Sequence, residues 1–243
     1  MYRPADRHRA RQLRDDGRSV AAIHRELGVA RSTIAAWLRE PARVPDARCF
    51  VCAGTSLEQP AVYAYLLGQY LGDGYLVTST RVPRLRFACS DAYPAIAAEI
   101  DDAMTALSGN RTQSVQRVGC TDRGSYWMHW PCLLPQHGAG RKHERLIVLA
   151  PWQQALVDEH PWPLIRGLIH SDGCRAVNNV ITRGKPYAYP RYFFANESQD
   201  ILGIAGAALH RAGVEWRFNR PNSISIAKRA SVALMDRHVS PKT

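Results

Sequence analysis

Asp73 and Asp172 each stand directly before a glycine, and they lie 99 residues apart at the ends of two similar stretches. The first stretch is Leu66-Leu67-Gly68-Gln69-Tyr70-Leu71-Gly72-Asp73-Gly74. The second is Ile165-Arg166-Gly167-Leu168-Ile169-His170-Ser171-Asp172-Gly173. Read as helices, both put a carboxylate at the C-terminal end, where the helix dipole is already negative. If the two helices pair in parallel, the acids also face each other as like charges. Each effect costs about 0.5–1 kcal/mol, more when partly buried. A divalent cation between them reverses the sign of both. Mg²⁺ takes oxygen ligands, often one or two carboxylates with phosphate and water, and the carbonyls of Gly72 and Ser171 can add two more. The plainer role, an aspartate capping a turn before glycine, suits one Asp-Gly better than two at matched positions.

The elements that must position these acids are legible around them. Ala64, Gly68 and Gly72 recur every four residues, as do Pro163, Gly167 and Ser171. Small residues at that spacing make a smooth helix face that lets two backbones approach closely. Leu67, Leu71, Leu164 and Leu168 are left for the flanking cores. Pro163 fits the first turn of its helix. The repetition continues past the motifs: Pro83-Arg84-Leu85-Arg86-Phe87-Ala88 echoes Pro190-Arg191-Tyr192-Phe193-Phe194-Ala195. Each strand-like run leads into an Ala-rich helical stretch, Tyr93–Leu107 and Asp200–Ala212. Further strand-like runs follow, Thr112–Gly119 with Ser125–Trp130 in one copy and Val214–Phe218 with Ser223–Ala227 in the other. Each copy therefore reads helix, two strands, helix, two strands, helix.

Both motifs resemble the LAGLIDADG motif, and the chain is similar over about three quarters of its length to single-chain LAGLIDADG homing endonucleases carrying two motifs. The resemblance implies an α+β fold, a pseudo-twofold αββαββα repeat with saddle-shaped antiparallel sheets. It implies that Asp73 and Asp172 bind Mg²⁺ or Mn²⁺, which activate water and stabilise the leaving oxygen at each strand of double-stranded DNA. Family members often place a lysine near the metal pocket. Lys142 and Lys228, which follow the last strand-like run of each copy, are the candidates.

The implied DNA face follows from strand alternation. Leu85, Phe87, Tyr192 and Phe194 point to the core, leaving Arg84, Arg86, Arg191 and Phe193 toward the duplex. Phe193 stands where the first copy has Arg86, so the two halves are expected to read different sequences and the target to be asymmetric. Without DNA, the same arginines would form a solvated sheet edge.

Residues 1–40 form a separate Arg-rich region of three expected helices, near Ala5–Asp16, Val20–Leu27 and Arg31–Glu40. Ser19 is a plausible N-cap, Gly28 supplies the turn, and Pro41 ends the last helix. Ile23, Leu27, Val29, Ile34, Trp37 and Leu38 would close its core. The pattern resembles a helix-turn-helix, which puts the start of its last helix into the major groove. Arg31, Ser32, Thr33 and Ala36 would then face the bases. The alternative is a protein-interaction module. Residues 41–60 read as a linker, 61–160 as the first repeat and 161–243 as the second.

The chain of 243 residues carries a formal net charge of +11, which points to a polyanionic partner. Its bases are nearly all Arg, with only Lys142, Lys185, Lys228 and Lys242 otherwise. That bias suits a GC-rich genome and bears on the choice of base, not on the excess. No apolar run approaches the roughly 18 residues of a membrane span, and the N-terminus lacks the apolar segment of a signal peptide. The expectation is a cytoplasmic protein, nucleoid-associated if prokaryotic, monomeric because both motifs lie in one chain. Six cysteines imply no disulfide framework. Cys49-Phe-Val-Cys52 has half the spacing of a zinc site. Cys132 with His137 or His143 could complete a tetrahedron in space, but an unliganded pair is the expectation. Two functions compete: a site-specific endonuclease, and a non-cleaving transcription regulator of the kind that joins a degenerate LAGLIDADG domain to a helix-turn-helix.

Overall fold

A computed structural model describes residues 4–39, 48–239 and Lys242. The chain divides into two compact units, 1–47 and 48–243. Residues 40–47, which include Glu40, Pro41 and the first part of the expected linker, lie outside the described residues.

The first unit holds three helices: α1 (Pro4–Asp15), α2 (Val20–Leu27) and α3 (Arg31–Arg39). The Ser19 side chain accepts a hydrogen bond from the Ala22 amide and caps α2. Gly28 ends α2 at φ 65°, a left-handed conformation that glycine adopts without a Cβ penalty. Ala10, Leu13, Ile23, Val29 and Ile34 are fully buried, with Leu27, Trp37 and Leu38 packed on them. The expected core is therefore present, completed by α1.

The second unit opens with a single turn, α4 (Phe50–Ala53), inside the stretch read as linker. Two copies of one motif follow. The first runs α5 (Pro60–Gly72), β1 (Tyr75–Val77), β2 (Arg84–Ser90), α6 (Pro94–Ser108), β3 (Gln113–Arg117) and β4 (Cys120–Tyr126). A short α7 (Trp130–Leu133), a 3-10 turn at Lys142–Glu144 and α8 (Pro151–Glu159) close it. The second copy runs α9 (Pro161–Asp172), β5 (Gly173–Thr182), β6 (Lys185–Ala195), α10 (Gln199–Arg211), β7 (Arg217–Arg220), β8 (Ser223–Ile226) and α11 (Arg229–His238).

Each copy builds a four-stranded antiparallel sheet in the same order, β1-β2-β4-β3 and β5-β6-β8-β7. The fold is thus an α+β duplication, with the strand order and paired helices that the motif resemblance implies. Strand limits differ from expectation in one place that matters. β4 begins at Cys120, five residues before the apolar run, because the hairpin turns at Val118-Gly119, where Gly119 has φ 75°. That shift brings Asp122 into the sheet. The copies also differ in reach: β5 and β6 pair over ten residues, β1 and β2 over three.

Helices α5 and α9 are the axis of the unit. Every residue of α5 from Tyr63 to Leu71 is buried, as expected of a helix enclosed on all sides. A Cβ on Gly68 would collide with the Leu164 carbonyl, and one on Gly167 with the Tyr65 carbonyl. One on Gly72 would strike the Ser171 side chain and lie 3.1 Å from Asp172 Oδ2. Contacts that climb in step, 68 against 164–168 and 72 against 171–172, mean that the helices run parallel. Leu67, Leu71, Leu164 and Leu168 fill the cores on either side.

Candidate active site

The parallel pair carries both acids to the same end. Asp73 is the C-cap residue of α5, and Asp172 is the last residue of α9. Burial raises the pKa of both carboxyls, and Asp172 is raised further by the charge of Asp73. Asn196 Nδ2 donates to Asp172 Oδ2 at 2.8 Å. By the strand echo the counterpart of Asn196 is Cys89, a buried thiol beside Asp73 that burial pushes up to about 12. The two acids therefore sit in chemically different halves.

Two lysines face them. Lys142 Nζ donates to the carbonyls of Tyr70 and Gly72. Lys242 Nζ donates to the Ser171 carbonyl at 2.9 Å. Each ammonium thus meets the carbonyl just before one aspartate, in matched positions on the two motif helices. Both lysines lower the pKa of both acids. Burial in turn lowers Lys142 to about 8 and shifts Lys242 in the same direction, against the opposing pull of the carboxylates.

Of the two lysines expected here, Lys142 is in place and Lys228 is not. Lys228 is the exposed N-cap of α11 and is ion-paired to Glu215. Its place belongs to Lys242, which no local pattern marked, because it follows the last helix and reaches the site only through the fold.

A cleft opens over this end, lined by Asp73, Asp172, Lys142, His137, Asn196 and Glu197 among others. His137 belongs here and not with the cysteines: its Nδ1 lies 3.0 Å from the Tyr70 hydroxyl, and burial lowers its pKa to about 4. His143 also lines the cleft. His170 bonds within the helix pair, 3.3 Å from the Tyr65 hydroxyl.

The donor set suits a hard divalent cation. The two carboxylates and the carbonyls of Gly72 and Ser171 are all oxygen, and those two carbonyls already face positive charge. Asp73, Asp172, Gly72 and Ser171 would hold the ion.

On the sheets, Leu85, Phe87, Tyr192 and Phe194 are buried, as alternation requires. Arg84 and Arg86 take the opposite face, yet neither stands alone. Both bond to Asp122, Arg84 to Oδ1 at 3.0 Å and Arg86 to Oδ2 at 2.8 Å, and the Arg117 guanidinium is 3.7 Å away. Asp122 is 1% exposed. Arg191 in the second sheet instead stacks over Phe193 at 5.6 Å. In the first unit Arg31, Ser32 and Ala36 are exposed and Thr33 is half-buried at the start of α3. The thiols of Cys49 and Cys52 meet His129 and Cys132, so the expected partner Cys132 is present and the histidine is neither His137 nor His143.

No protein-family model matches the chain, and no curated protein matches it. Solved structures do. The homing endonuclease I-WcaI bound to its DNA recognition sequence is 13% identical, with TM-score 0.49, covering 84% of this chain and 92% of that one. Meganuclease I-SmaMI bound to uncleaveable DNA is 6% identical, with TM-score 0.49, over 74% and 85%. Full-length DUF199/WhiA from Thermatoga maritima is 11% identical, with TM-score 0.48, over 80% of this chain and 60% of that one. These likenesses are distant. The strand order and the paired motif helices define the fold, and by them this chain is similar to LAGLIDADG proteins.

Proposed function

We propose that the protein is a site-specific double-stranded DNA endonuclease that hydrolyses phosphodiesters with the aid of a divalent metal at an asymmetric site. One observation carries this reading: two inequivalent halves bring two carboxylates together at the cleft, at the ends of parallel helices and each beside a lysine. Uncompensated, that arrangement is unfavourable. Bound Mg²⁺ or Mn²⁺ would supply a nucleophilic water at neutral pH and neutralise charge on the scissile phosphate. Asp73 and Asp172, with the carbonyls of Gly72 and Ser171, would hold the metal, and Asn196 orients the Asp172 carboxylate. Lys142 and Lys242 donate toward anionic oxygen, with the main chain as their resting partner. Arg84, Arg86, Arg191 and Phe193 lie on sheet faces suited to the duplex, and their differences give the asymmetry. In this reading α2 and α3 form a helix-turn-helix whose Arg31, Ser32, Thr33 and Ala36 contact bases.

The competing reading is a regulator that binds and does not cut, favoured by the three-helix unit at the N-terminus. Incubating the protein with a randomised duplex library in Mg²⁺ or Mn²⁺ and sequencing the ends separates the two. The endonuclease predicts cuts that disappear in Asp73→Asn. Tight binding without cuts in either metal excludes it.

A further inference from the structure

A second cluster of metal-binding side chains lies away from the paired aspartates, assembled from two segments distant in sequence. Cys49 is the N-cap residue of α4, and Cys52 lies within it. His129 is the N-cap residue of α7, and Cys132 lies within it. The ligand atoms of all four side chains lie within 4.8 Å of one another. Cys52 Sγ is 3.3 Å from His129 Nδ1 and 3.5 Å from Cys132 Sγ. Cys132 Sγ is 3.7 Å from His129 Nδ1.

These separations are those of a coordination polyhedron. Zinc binds thiolate at ~2.3 Å and imidazole nitrogen at ~2.0–2.1 Å, so a tetrahedron has ligand–ligand edges of about 3.5–3.8 Å. A disulfide would need sulfurs at about 2.05 Å. We propose that Cys49, Cys52, His129 and Cys132 bind one structural Zn²⁺.

Three soft sulfurs and an imidazole select zinc over a hard ion, whereas the oxygen set at Asp73 and Asp172 does the reverse. Four protein ligands leave no open position, so the ion is structural. The surroundings hold the ligands in place. Trp127 packs edge-on against the His129 ring at 5.4 Å. Phe50, between the two cysteines, packs edge-on against Trp152 at 5.1 Å. As the ion binds, each of the three thiols gives its proton to solvent and donates its sulfur lone pair to the metal. The metal gives α4 a reason to persist. One helical turn cannot sustain itself, and the ion ties it to a segment 77 residues further along.

The test uses the full chain, purified without chelator and dialysed against Mg²⁺ buffer. Elemental analysis should find about one equivalent of zinc per chain. Co²⁺ exchanged into the site should give the intense visible bands and thiolate charge-transfer bands of tetrahedral coordination. Cys52→Ser, at a surface position, and His129→Ala should lose both signals. Cys120→Ser, and the double substitution of Asp73→Asn with Asp172→Asn, should keep them, which separates this site from the oxygen site. Zinc removal should lower the melting temperature of the wild type and leave Cys52→Ser unchanged. Absence of zinc in the wild type, retention of zinc in Cys52→Ser, or a Cys52–Cys132 disulfide in a non-reduced digest would each overturn the proposal.

Discussion

Replacing Gly68 by alanine should destabilise the second unit, although alanine is the better helix former. The added methyl would meet main chain on three sides: the Leu164 carbonyl, the Leu168 nitrogen at 2.9 Å and the Gly167 Cα at 3.0 Å. No side-chain rotation relieves main-chain contacts, so the two helices must part. Overpacking of this kind costs about 1–3 kcal/mol or more, against a propensity gain of about 1 kcal/mol. With all three contacts on main chain the upper end of that cost applies, so the net loss is about 2 kcal/mol, a fall of roughly 4–8 °C in melting temperature for a unit of this size. The internal control is Gly203, in α10, where a Cβ meets nothing within 4 Å. Gly203→Ala should stabilise by about 0.5–1 kcal/mol. Both variants are read by calorimetry in metal-free buffer. If Gly68→Ala melts at or above the wild type, backbone contact does not set the helix pair, and the placement of the acids has another cause.

Other outcomes follow from the same geometry. Lys142→Met or Lys242→Met should each cut cleavage by about 10²–10³-fold, the typical cost of one lost charge-stabilising donor, while Lys228→Met leaves the rate unchanged; single-turnover kinetics on a defined site reads both. Lys142 also gives a pH signature. Its folded pKa of about 8 lies below the ordinary lysine value of 10.5, so between those pH values the unfolded chain holds the extra proton and metal-free stability rises with pH. Melting curves from pH 8 to 10.5 should show that rise in the wild type and lose its Lys142 component in Lys142→Met. The raised carboxyls act in the opposite sense, their stability being full at low pH and lost as pH climbs through their folded values. Asp73→Asn should therefore melt no lower than the wild type at neutral pH without metal, and a clear loss of melting temperature would return Asp73 to a capping role. Asp122→Asn, which leaves Arg84 and Arg86 without their carboxylate, should destabilise by about 1–3 kcal/mol and steepen the salt dependence of DNA binding by about one to two counterions. An unchanged salt slope in filter binding would place those arginines off the DNA.

What could be read from the residues alone was whatever repeats or stays local. The small-residue stripe of each motif helix, the Asp-Gly ends and the alternation of Leu85 with Phe87 all lie within one element, where a fixed period decides which side each residue takes. The groups that escaped detection depend on chain closure. Lys242 reaches Ser171 across 71 residues, and nothing in its neighbours marks it. Asp122 lies in a strand opened by polar residues, so the apolar pattern started β4 too late and missed the carboxylate that organises Arg84 and Arg86. Each half of the sulfur cluster is ordinary by itself, and only topology brings His129 to Cys52. Lys228 failed for a related reason. Its place after the last strand matched Lys142 in order, but Glu215 lies nearer in space than either acid.

The backbone-to-backbone seam between α5 and α9 separates two kinds of change. The acids hang from that seam, and their spacing is set where glycine and serine allow no side chain to intervene. The outward faces of the two sheets are built on other residues and have no part in it. If the proposed function holds, substitutions on a sheet can therefore redirect which duplex is held without moving the carboxylates, and one half can be altered while the other keeps its preference. On that reading, recognition is free to drift in two independent registers around a chemistry that cannot.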